Sequence, residues 1–259
     1  MSGKQIPQVT RQDPTFPQPA GLGQLGALNC VCECVQRPVS VNARNQLMYA
    51  IAGLRENVFG FFSDPSGSNA HWEFFFKVTD PLNDPQVITA LFSQTGERIW
   101  IGTGSGRIFE FDSGVLTGFG VDGLKNPNGD ADAAVFRIVA AGDVAFASYI
   151  KAGVAYILAR TNNFFVKLSN GLPTNVGAYY GLELVAPREP VAPAMAFAST
   201  DESVYISRDL GKTWRPASQG LPTRPHCADL RFVQTPDGER ALYLSTFGRS
   251  VWRASVADH

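Results

Sequence analysis

The sequence predicts an all-β protein, built as a single β-propeller of four-stranded antiparallel blades. Two observations support this fold class. Segments rich in β-forming residues recur at intervals of about 40 to 57 residues along the chain, and almost no segment has the apolar spacing of an amphipathic helix. A four-stranded unit of this length is typical of a propeller blade, which cannot bury both of its faces alone and must stack against neighbours.

Five copies of the repeat are visible. In each copy a β-forming run ends in a small residue or threonine, a turn follows, and a β-branched or aromatic pair begins the next strand. These pairs are Val58-Phe59, Ile108-Phe109, Phe165-Val166, Val204-Tyr205 and Val251-Trp252. Five copies predict five blades. A sixth blade would have to lie in a poorly patterned stretch, and residues 112–142 are the place for it.

The fifth repeat is incomplete, because only seven residues follow Val251-Trp252. A propeller must close or it leaves an open sheet edge. We therefore expect residues within 5–22 to supply the missing outer strand of the last blade. The predicted organisation is an N-terminal arm with this closure strand over residues 1–24 and a propeller domain over residues 25–259.

Composition narrows the possible functions. The net charge is −1 and no glycine-rich phosphate loop precedes a helix, so nucleic-acid binding is not expected. Only 17% of the residues are charged, which favours a largely neutral surface suited to contact with a protein partner. No apolar run is long enough to span a membrane, and no signal peptide is apparent. We expect a protein made in the cytoplasm, and a virion, a secretion machine or another assembly would fit it.

Three of the four cysteines alternate along one predicted strand. Cys30, Cys32 and Cys34 would share a face, and Cys227 would lie near them if the ring closes. Four thiolates can hold zinc, but thiols on a straight strand are about 7 Å apart, too far for all three to reach one ion easily. We interpret the cysteines as small buried side chains and expect no metal and no cofactor.

One short segment carries the most specific pattern. Residues 207–214 read SRDLGKTW, between two runs of β-formers. An aspartate that bonds back to nearby amides, followed by a glycine that accepts a positive φ, predicts a hairpin turn held by its own side chains. A tryptophan then begins the next strand with a large apolar surface.

This octapeptide resembles the Asp box of the sialidase-like BNR-repeat propellers, and residues 243–253 resemble the last blade of bacterial BNR-repeat and xyloglucanase-type proteins. The resemblance implies that the box is a structural turn on the outer rim, formed by Ser207, Asp209, Gly211, Thr213 and Trp214. Weaker copies of the turn are expected in the first three repeats, at Asp64, Gly67, Trp72, Asp112, Gly114, Asn170 and Gly171.

Catalysis is weakly supported. Sialidases of this class carry an Arg-Ile-Pro segment near their start and an arginine triad, whereas Arg137-Ile138 lies mid-chain and is followed by valine. A glycosidase needs two facing carboxylates, and no spacing links candidates such as Glu33, Asp143, Glu183 and Asp229. The favoured hypothesis is a non-catalytic propeller that binds protein partners or serves as a subunit of a larger assembly. The alternative is a carbohydrate-binding module or glycosidase with a glycan ligand.

Overall fold

The described part of the protein is all-β. The structure is a computed structural model and describes residues 30–33, 39–40, 46–64, 69–78, 88–93, 98–168, 170–186, 194–235, 237–248 and 250–256. These residues form twenty strands and no α-helix. The strands are β1 Cys30–Glu33, β2 Val39–Ser40, β3 Leu47–Leu54, β4 Asn57–Ser63, β5 His71–Lys77, β6 Ile88–Ser93, β7 Arg98–Thr103, β8 Ile108–Asp112, β9 Val115–Val121, β10 Ala133–Ala141, β11 Val144–Lys151, β12 Val154–Thr161, β13 Phe164–Lys167, β14 Gly181–Val185, β15 Met195–Ser199, β16 Val204–Ser207, β17 Arg215–Pro216, β18 Cys227–Gln234, β19 Arg240–Thr246 and β20 Val251–Ser255.

The strands form five antiparallel units in chain order. Unit one comprises β1 to β5, with β1 and β2 both paired to β3. Units two, three and four are four-stranded meanders that run from β6 to β9, β10 to β13 and β14 to β17, and unit five contains β18, β19 and β20. The innermost strand of each unit packs against that of the next, from β1 through β6, β10 and β14 to β18. This arrangement is the β-propeller fold that the sequence predicts.

Four apolar cores lie between successive units. The first joins units one and two around Ile51, Phe62 and Ile99, and the second joins units two and three around Trp100 and Phe165. The third core joins units three and four around Phe146 and Trp214. The fourth core joins units four and five around Phe197 and Leu244. Each core therefore belongs to two sheets at once, and no unit has a core of its own.

Strands in the middle of each sheet contribute side chains to both neighbouring cores. In β7, Ile99 and Ile101 face unit one while Trp100 faces unit three. In β11, Ala147 faces unit two while Phe146 faces unit four. Because successive side chains of a strand point to opposite faces, a nearly continuous apolar run is what two-sided burial requires.

Three of the innermost strands contain a β-bulge near their start. The pairing register shifts at Thr89 in β6, at Phe136 in β10 and at Ala228 in β18. A bulge inserts one unpaired residue and reverses the alternation of side chains beyond it. In β10 it turns Phe136 outward, where its side chain is 46% exposed.

Units two and three are also joined along their outer strands. β9 pairs in parallel with β13, so that Gly120 lies opposite Phe164 and Val121 lies opposite Phe165. The N–H of Gly120 donates to the carbonyl of Asn163 at 3.0 Å. The eight strands of the two units therefore form one continuous sheet, a feature that the repeat pattern did not predict.

Unit three differs in one respect from its predicted pattern. Its first strand is β10, which lies in the stretch 112–142 where the sequence showed little pattern, and the pair Phe165-Val166 lies in its fourth strand. Asn170 and Gly171 consequently follow the outer strand β13 and lie in the crossing from unit three to unit four. They are not in the hairpin between the third and fourth strands, where the box of unit four lies.

Unit five has three strands, and the outer edge of β20 has no partner strand among the described residues. Along this strand every side chain is exposed, including those of Val251 and Trp252. Residues 5–22, the predicted closure segment, lie outside the described residues, as does the whole predicted arm over 1–24.

We expect that deletion of residues 1–24 lowers the melting temperature by about 4 °C or more, because the edge of β20 then loses the strand that we predict to pair with it. Differential scanning calorimetry measures this change. Deletion of residues 1–4, which lie before the predicted closure segment, is the matched control and is expected to leave the melting temperature unchanged. Equal melting temperatures for all three proteins would contradict the predicted closure.

Candidate functional site: a charged cluster and an aromatic triad

Four charged side chains meet where the innermost strands of units three, four and five lie side by side. We call Arg137, Glu183, Asp229 and Arg231 the charged cluster. Arg137 lies on β10, Glu183 on β14, and Asp229 and Arg231 on β18. The cluster therefore brings together residues that are 46 and 92 positions apart in the sequence.

Arg137 is the centre of the cluster. Its two terminal nitrogens donate to Glu183 Oε1 at 2.9 Å and to Asp229 Oδ1, and one also donates to the backbone carbonyl of Leu230 at 3.2 Å. Asp229 Oδ2 accepts from Arg231 Nε at 3.1 Å. One planar guanidinium thus binds two carboxylates from two different units, a role that the forked geometry of arginine suits better than the point charge of lysine.

Two local features place these side chains. The bulge at Phe136 reverses the alternation in β10, so that Val135 and Ile138 face unit two while Arg137 points toward unit four. Gly181 allows β14 to approach β18 closely, since a Cβ at this position would lie 2.7 Å from the backbone nitrogen of Leu230. The close approach brings Glu183, two residues further along β14, within reach of Arg137.

Burial governs the electrostatics of the cluster. The side chains of Arg137 and Glu183 are 15% and 14% exposed, whereas that of Arg231 is 66% exposed. Burial raises the pKa of Glu183 above its ordinary value, and attraction to Arg137 and Arg231 offsets only part of this effect. Folding therefore favours the protonated form of Glu183 more than it would favour that of an exposed glutamate.

Three aromatic side chains lie beside the charged cluster. We call Phe136, Tyr180 and Phe247 the aromatic triad. The rings of Phe136 and Phe247 each stand nearly perpendicular to the ring of Tyr180, and both centroids are 6.4 Å from its centroid. Phe136 adjoins Arg137, Tyr180 precedes β14, and Phe247 follows β19. The triad thus combines one ring from each of units three, four and five.

The triad is unusually open for aromatic side chains. Phe247 is 63% exposed and Phe136 is 46% exposed. The N–H of Phe247 donates to the carbonyl of His226 at 2.9 Å, which fixes the backbone of its loop against the segment that precedes β18. An exposed aromatic patch on a fixed backbone is typical of a binding surface.

The turn at 207–214 is held by its own side chains. Ser207 Oγ donates to Asp209 Oδ1 and accepts from the N–H of Gly211, both at 2.8 Å. Asp209 also accepts from the backbone N–H of Thr213 at 2.8 Å and from its hydroxyl at 2.5 Å. Gly211 has a φ of +84°, in the region that glycine enters without strain.

Trp214 connects this turn to the preceding unit. Its ring is buried beside Phe146 of unit three, with an interplanar angle of 79°. The indole N–H donates to the carbonyl of Leu168 at 3.2 Å, and the backbone N–H donates to the carbonyl of Asn170 at 2.8 Å. Gly171 makes this contact possible, because a Cβ there would lie 2.1 Å from the carbonyl oxygen of Trp214.

The turns of units one and two share only part of this pattern. Asp112 accepts from Ser113 Oγ at 3.0 Å and from Arg98 at 3.3 Å, and Ser113 and Gly114, both at positive φ, form the two-residue turn between β8 and β9. Asp64 accepts from Asn69 Nδ2 at 2.7 Å.

Other predicted positions of unit one are only partly described. Trp72 lies in β5, with its ring centroid 5.3 Å from that of Phe61. Gly67 lies outside the described residues.

The cysteines are only partly described as well. Cys30 and Cys32 lie in β1 and pair with Gly53 and Ile51 of β3, while Cys34 lies outside the described residues. Cys227 is buried, and burial raises the pKa of its thiol to about 11. Within the described ranges, no group of three or more histidine, cysteine, aspartate or glutamate side chains could hold a metal ion.

The carboxylates singled out in the sequence occupy different places. Glu183 and Asp229 meet through Arg137, as described above. Asp143 instead lies 3.3 Å from Arg98 and 3.6 Å from Arg160, and Glu33 lies in β1 opposite Ala50. Sequence reasoning did not find Arg137, Arg231 or the aromatic triad as site residues, since these residues come from three units and meet only when the units have stacked.

Comparisons with known proteins support the fold. No family model matches the sequence, and no curated protein matches it. The structure is similar to YCF48 bound to D1 peptide, with a TM-score of 0.52 and 14% identity over 89% of this chain. It also resembles the WD40 β-propeller domain of Doa1, with a TM-score of 0.47, 10% identity, and coverage of 90% of this chain and 72% of that chain.

A third similar structure is the extracellular domain of BT4673 from B. thetaiotaomicron, with a TM-score of 0.49, 11% identity, and coverage of 90% of this chain and 28% of that chain. The protein spans 63% of the YCF48 chain. At 14% identity the likeness to YCF48 shows the fold and nothing finer. In the ranges that the structure covers, no helix has the length and hydropathy to cross a membrane.

We expect Asp209→Ala to lower the free energy of unfolding by about 2 kcal/mol, because it leaves the N–H of Thr213 and the hydroxyl of Ser207 without their acceptor. Burial acts to raise the pKa of Asp209, but hydrogen bonds from Thr213 and Ser207 outweigh it and hold the pKa below its usual value. The stabilisation is therefore present near neutral pH and is lost as the pH falls through the folded-state pKa.

Urea denaturation near neutral pH and in acid measures the effect of Asp209→Ala, with Lys212→Ala at an exposed position of the same turn as the control. A difference between Asp209→Ala and wild type that does not shrink in acid would show that the carboxylate is not what holds the turn.

We expect Arg137→Gln to destabilise the protein by about 3 kcal/mol near neutral pH, since it leaves a buried carboxylate without its counter-charge. Folding raises the pKa of Glu183, so protonated Glu183 contributes stability to the folded protein at low pH. This contribution is lost as the pH rises through the pKa of Glu183 in the folded state. The loss caused by Arg137→Gln should therefore be smaller near pH 4.5 than at neutral pH.

Denaturation curves of Arg137→Gln, Glu183→Gln and the double variant at both pH values form the test. Near neutral pH the second substitution should restore part of the stability lost with Arg137. Additive effects of the two substitutions at both pH values would contradict the proposed pairing.

Proposed function

We propose that this protein is a non-catalytic β-propeller that binds a protein partner at the aromatic triad. The observation that carries the proposal is the exposure of Phe136 and Phe247 beside Tyr180, at a junction of three units. Aromatic side chains supply large contact areas at interfaces with little loss of conformational freedom. A structural relative, YCF48, is described as bound to D1 peptide, which agrees with the proposal but lends it no residue-level support.

The charged cluster favours binding over catalysis. Glycoside hydrolysis uses one carboxyl group as an acid and another as a base or nucleophile, on opposite sides of the substrate. Here Glu183 and Asp229 both accept hydrogen bonds from the same guanidinium, so their oxygens face each other across Arg137. This arrangement joins three units and supports the exposed rings next to it.

We assign a structural role to Ser207, Asp209, Gly211, Thr213 and Trp214. The side-chain hydrogen bonds of Ser207, Asp209 and Thr213 are internal to the turn, and Trp214 donates to Leu168 and Asn170 of the unit next to it. The turn lies between the third and fourth strands of unit four, whereas the aromatic triad lies at the start of the innermost strands, so the two features are at opposite ends of the sheet. This placement supports a BNR-type turn that holds unit four against unit three.

The test is the native mass of the protein in a gentle lysate of its own source. We expect the wild-type chain to migrate with a larger complex, and the double variant Phe136→Ser/Phe247→Ser to run near its own mass of 28.0 kDa. Phe74→Ser, which replaces an equally exposed phenylalanine on β5 of unit one, is the matched control and should leave the complex intact. Both substituted rings are exposed, so the double variant is expected to fold.

Three outcomes would count against the proposal. Wild-type protein that runs as a monomer removes the assembly, and a complex that survives the double substitution moves the binding surface elsewhere. Loss of the complex with Phe74→Ser as well would show a general effect of surface phenylalanines. Binding to a glycan array that depends on the triad would favour the carbohydrate-binding alternative.

A further inference from the structure

We propose that the partner segment is an extended acidic peptide, with an apolar side chain on the aromatic triad and a carboxylate on Arg231. This inference rests on the proposed function and adds the chemistry of the partner. It is carried by the geometry of the charged cluster, which pairs both of its carboxylates with arginine and presents a guanidinium to solvent.

The carboxylates of the cluster are already occupied. Asp229 Oδ1 accepts from Arg137 and from the N–H of Leu230 at 2.9 Å, while Oδ2 accepts from Arg231. Glu183 Oε1 accepts from Arg137 and lies 3.7 Å from a terminal nitrogen of Arg231. A basic partner group would have to displace these bonds, so the acids of the cluster do not attract a cation.

Arg231 is the group that the cluster leaves available. Its side chain is 66% exposed, and Asp229 holds it through Nε, which orients the guanidinium. Its second terminal nitrogen has no hydrogen-bond partner within the described part of the chain. The open terminal nitrogen can donate a charge-assisted hydrogen bond to a carboxylate of the partner.

Two other charged groups near Phe247 are each paired with an acid. Arg224 is paired with Glu202 at 3.1 Å, and His226 with Asp201 at 3.0 Å. Both pairs lie in the loops that precede β16 and β18. Arg231 differs from them because it belongs to the charged cluster, where Asp229 fixes its guanidinium through Nε.

The pairing register gives the spacing of the two contacts. Tyr243 of β19 lies opposite Arg231, and Thr246, the residue before Phe247, lies opposite Cys227. Phe247 thus lies four residues after Tyr243, the residue opposite Arg231. Four extended residues span roughly 13 Å. An extended peptide covers the same distance in four residues. The apolar residue and the acid are therefore expected at positions i and i+4.

The test uses two matched peptides, Ac-WSGSE-NH2 and Ac-WSGSQ-NH2, titrated into the full-length protein by isothermal calorimetry or NMR. We expect the glutamate peptide to bind about tenfold more tightly than the glutamine peptide, because only the first has a charged acceptor for Arg231. Arg231→Gln should abolish this preference and leave the weaker binding of the tryptophan. Arg215→Gln, an exposed arginine on β17, is the control and should keep the preference.

The same variants separate this inference from the proposed function. If the peptides bind equally, or if neither binds, the acidic-peptide proposal is overturned. If Phe136→Ser/Phe247→Ser releases the cellular complex while Arg231→Gln keeps it at wild-type affinity, the triad binds a partner that lacks the carboxylate. A phosphoserine peptide, Ac-WSGpSG-NH2, places a phosphate one position earlier, and tighter binding of that peptide would also overturn the carboxylate assignment.

Discussion

The fold of this protein depends on the burial of both faces of its sheets, because both faces are apolar. A single antiparallel sheet covered on one side leaves half of its side chains in water, and here the middle strands are apolar on both sides. Phe146 and Ala147 of β11, neighbours in sequence, belong to different cores. Each unit therefore depends on the units that it packs against, as in other repeat proteins, where interfaces between units contribute much of the stability. The charged cluster accordingly lies on the innermost strands β10, β14 and β18.

The bulges in β10 and β18 place charged side chains outside the apolar cores, and these side chains form the charged cluster. If β10 carried the same residues without a bulge, strict alternation from Val135 would point Arg137 into the apolar core between units two and three. With it, Val135 and Ile138 stay in that core and Arg137 reaches Glu183 and Asp229. The same residue that causes the reversal supplies an exposed ring of the aromatic triad. β10 thus keeps its apolar side chains in the core and presents the exposed ring of Phe136 near its start.

The sequence predicted what depends on local contacts. The turn at 207–214 could be recognised because its hydrogen bonds join residues at most four positions apart, and the β-propeller class followed from the period of the strands. The first strand of unit three was missed because the bulge interrupts the alternation of β10. The charged cluster could not be predicted at all, since Arg137, Glu183 and Asp229 meet only after three units have stacked. The parallel pairing of β9 with β13 likewise depends on the packing of two complete units.

Under the proposed function, a site assembled from three units couples partner binding to the packing between them. Phe136, Tyr180 and Phe247 are adjacent only when units three, four and five are correctly stacked, and Arg137 joins the same three units from below. A ligand that contacts all three rings binds only this arrangement, so it must stabilise the two junctions by mass action. Conversely, a change that loosens either junction weakens binding without touching the ligand. The acids paired with Arg137 beside the rings suit this role, because directional hydrogen bonds define one relative position of the strands where an apolar contact alone would tolerate several.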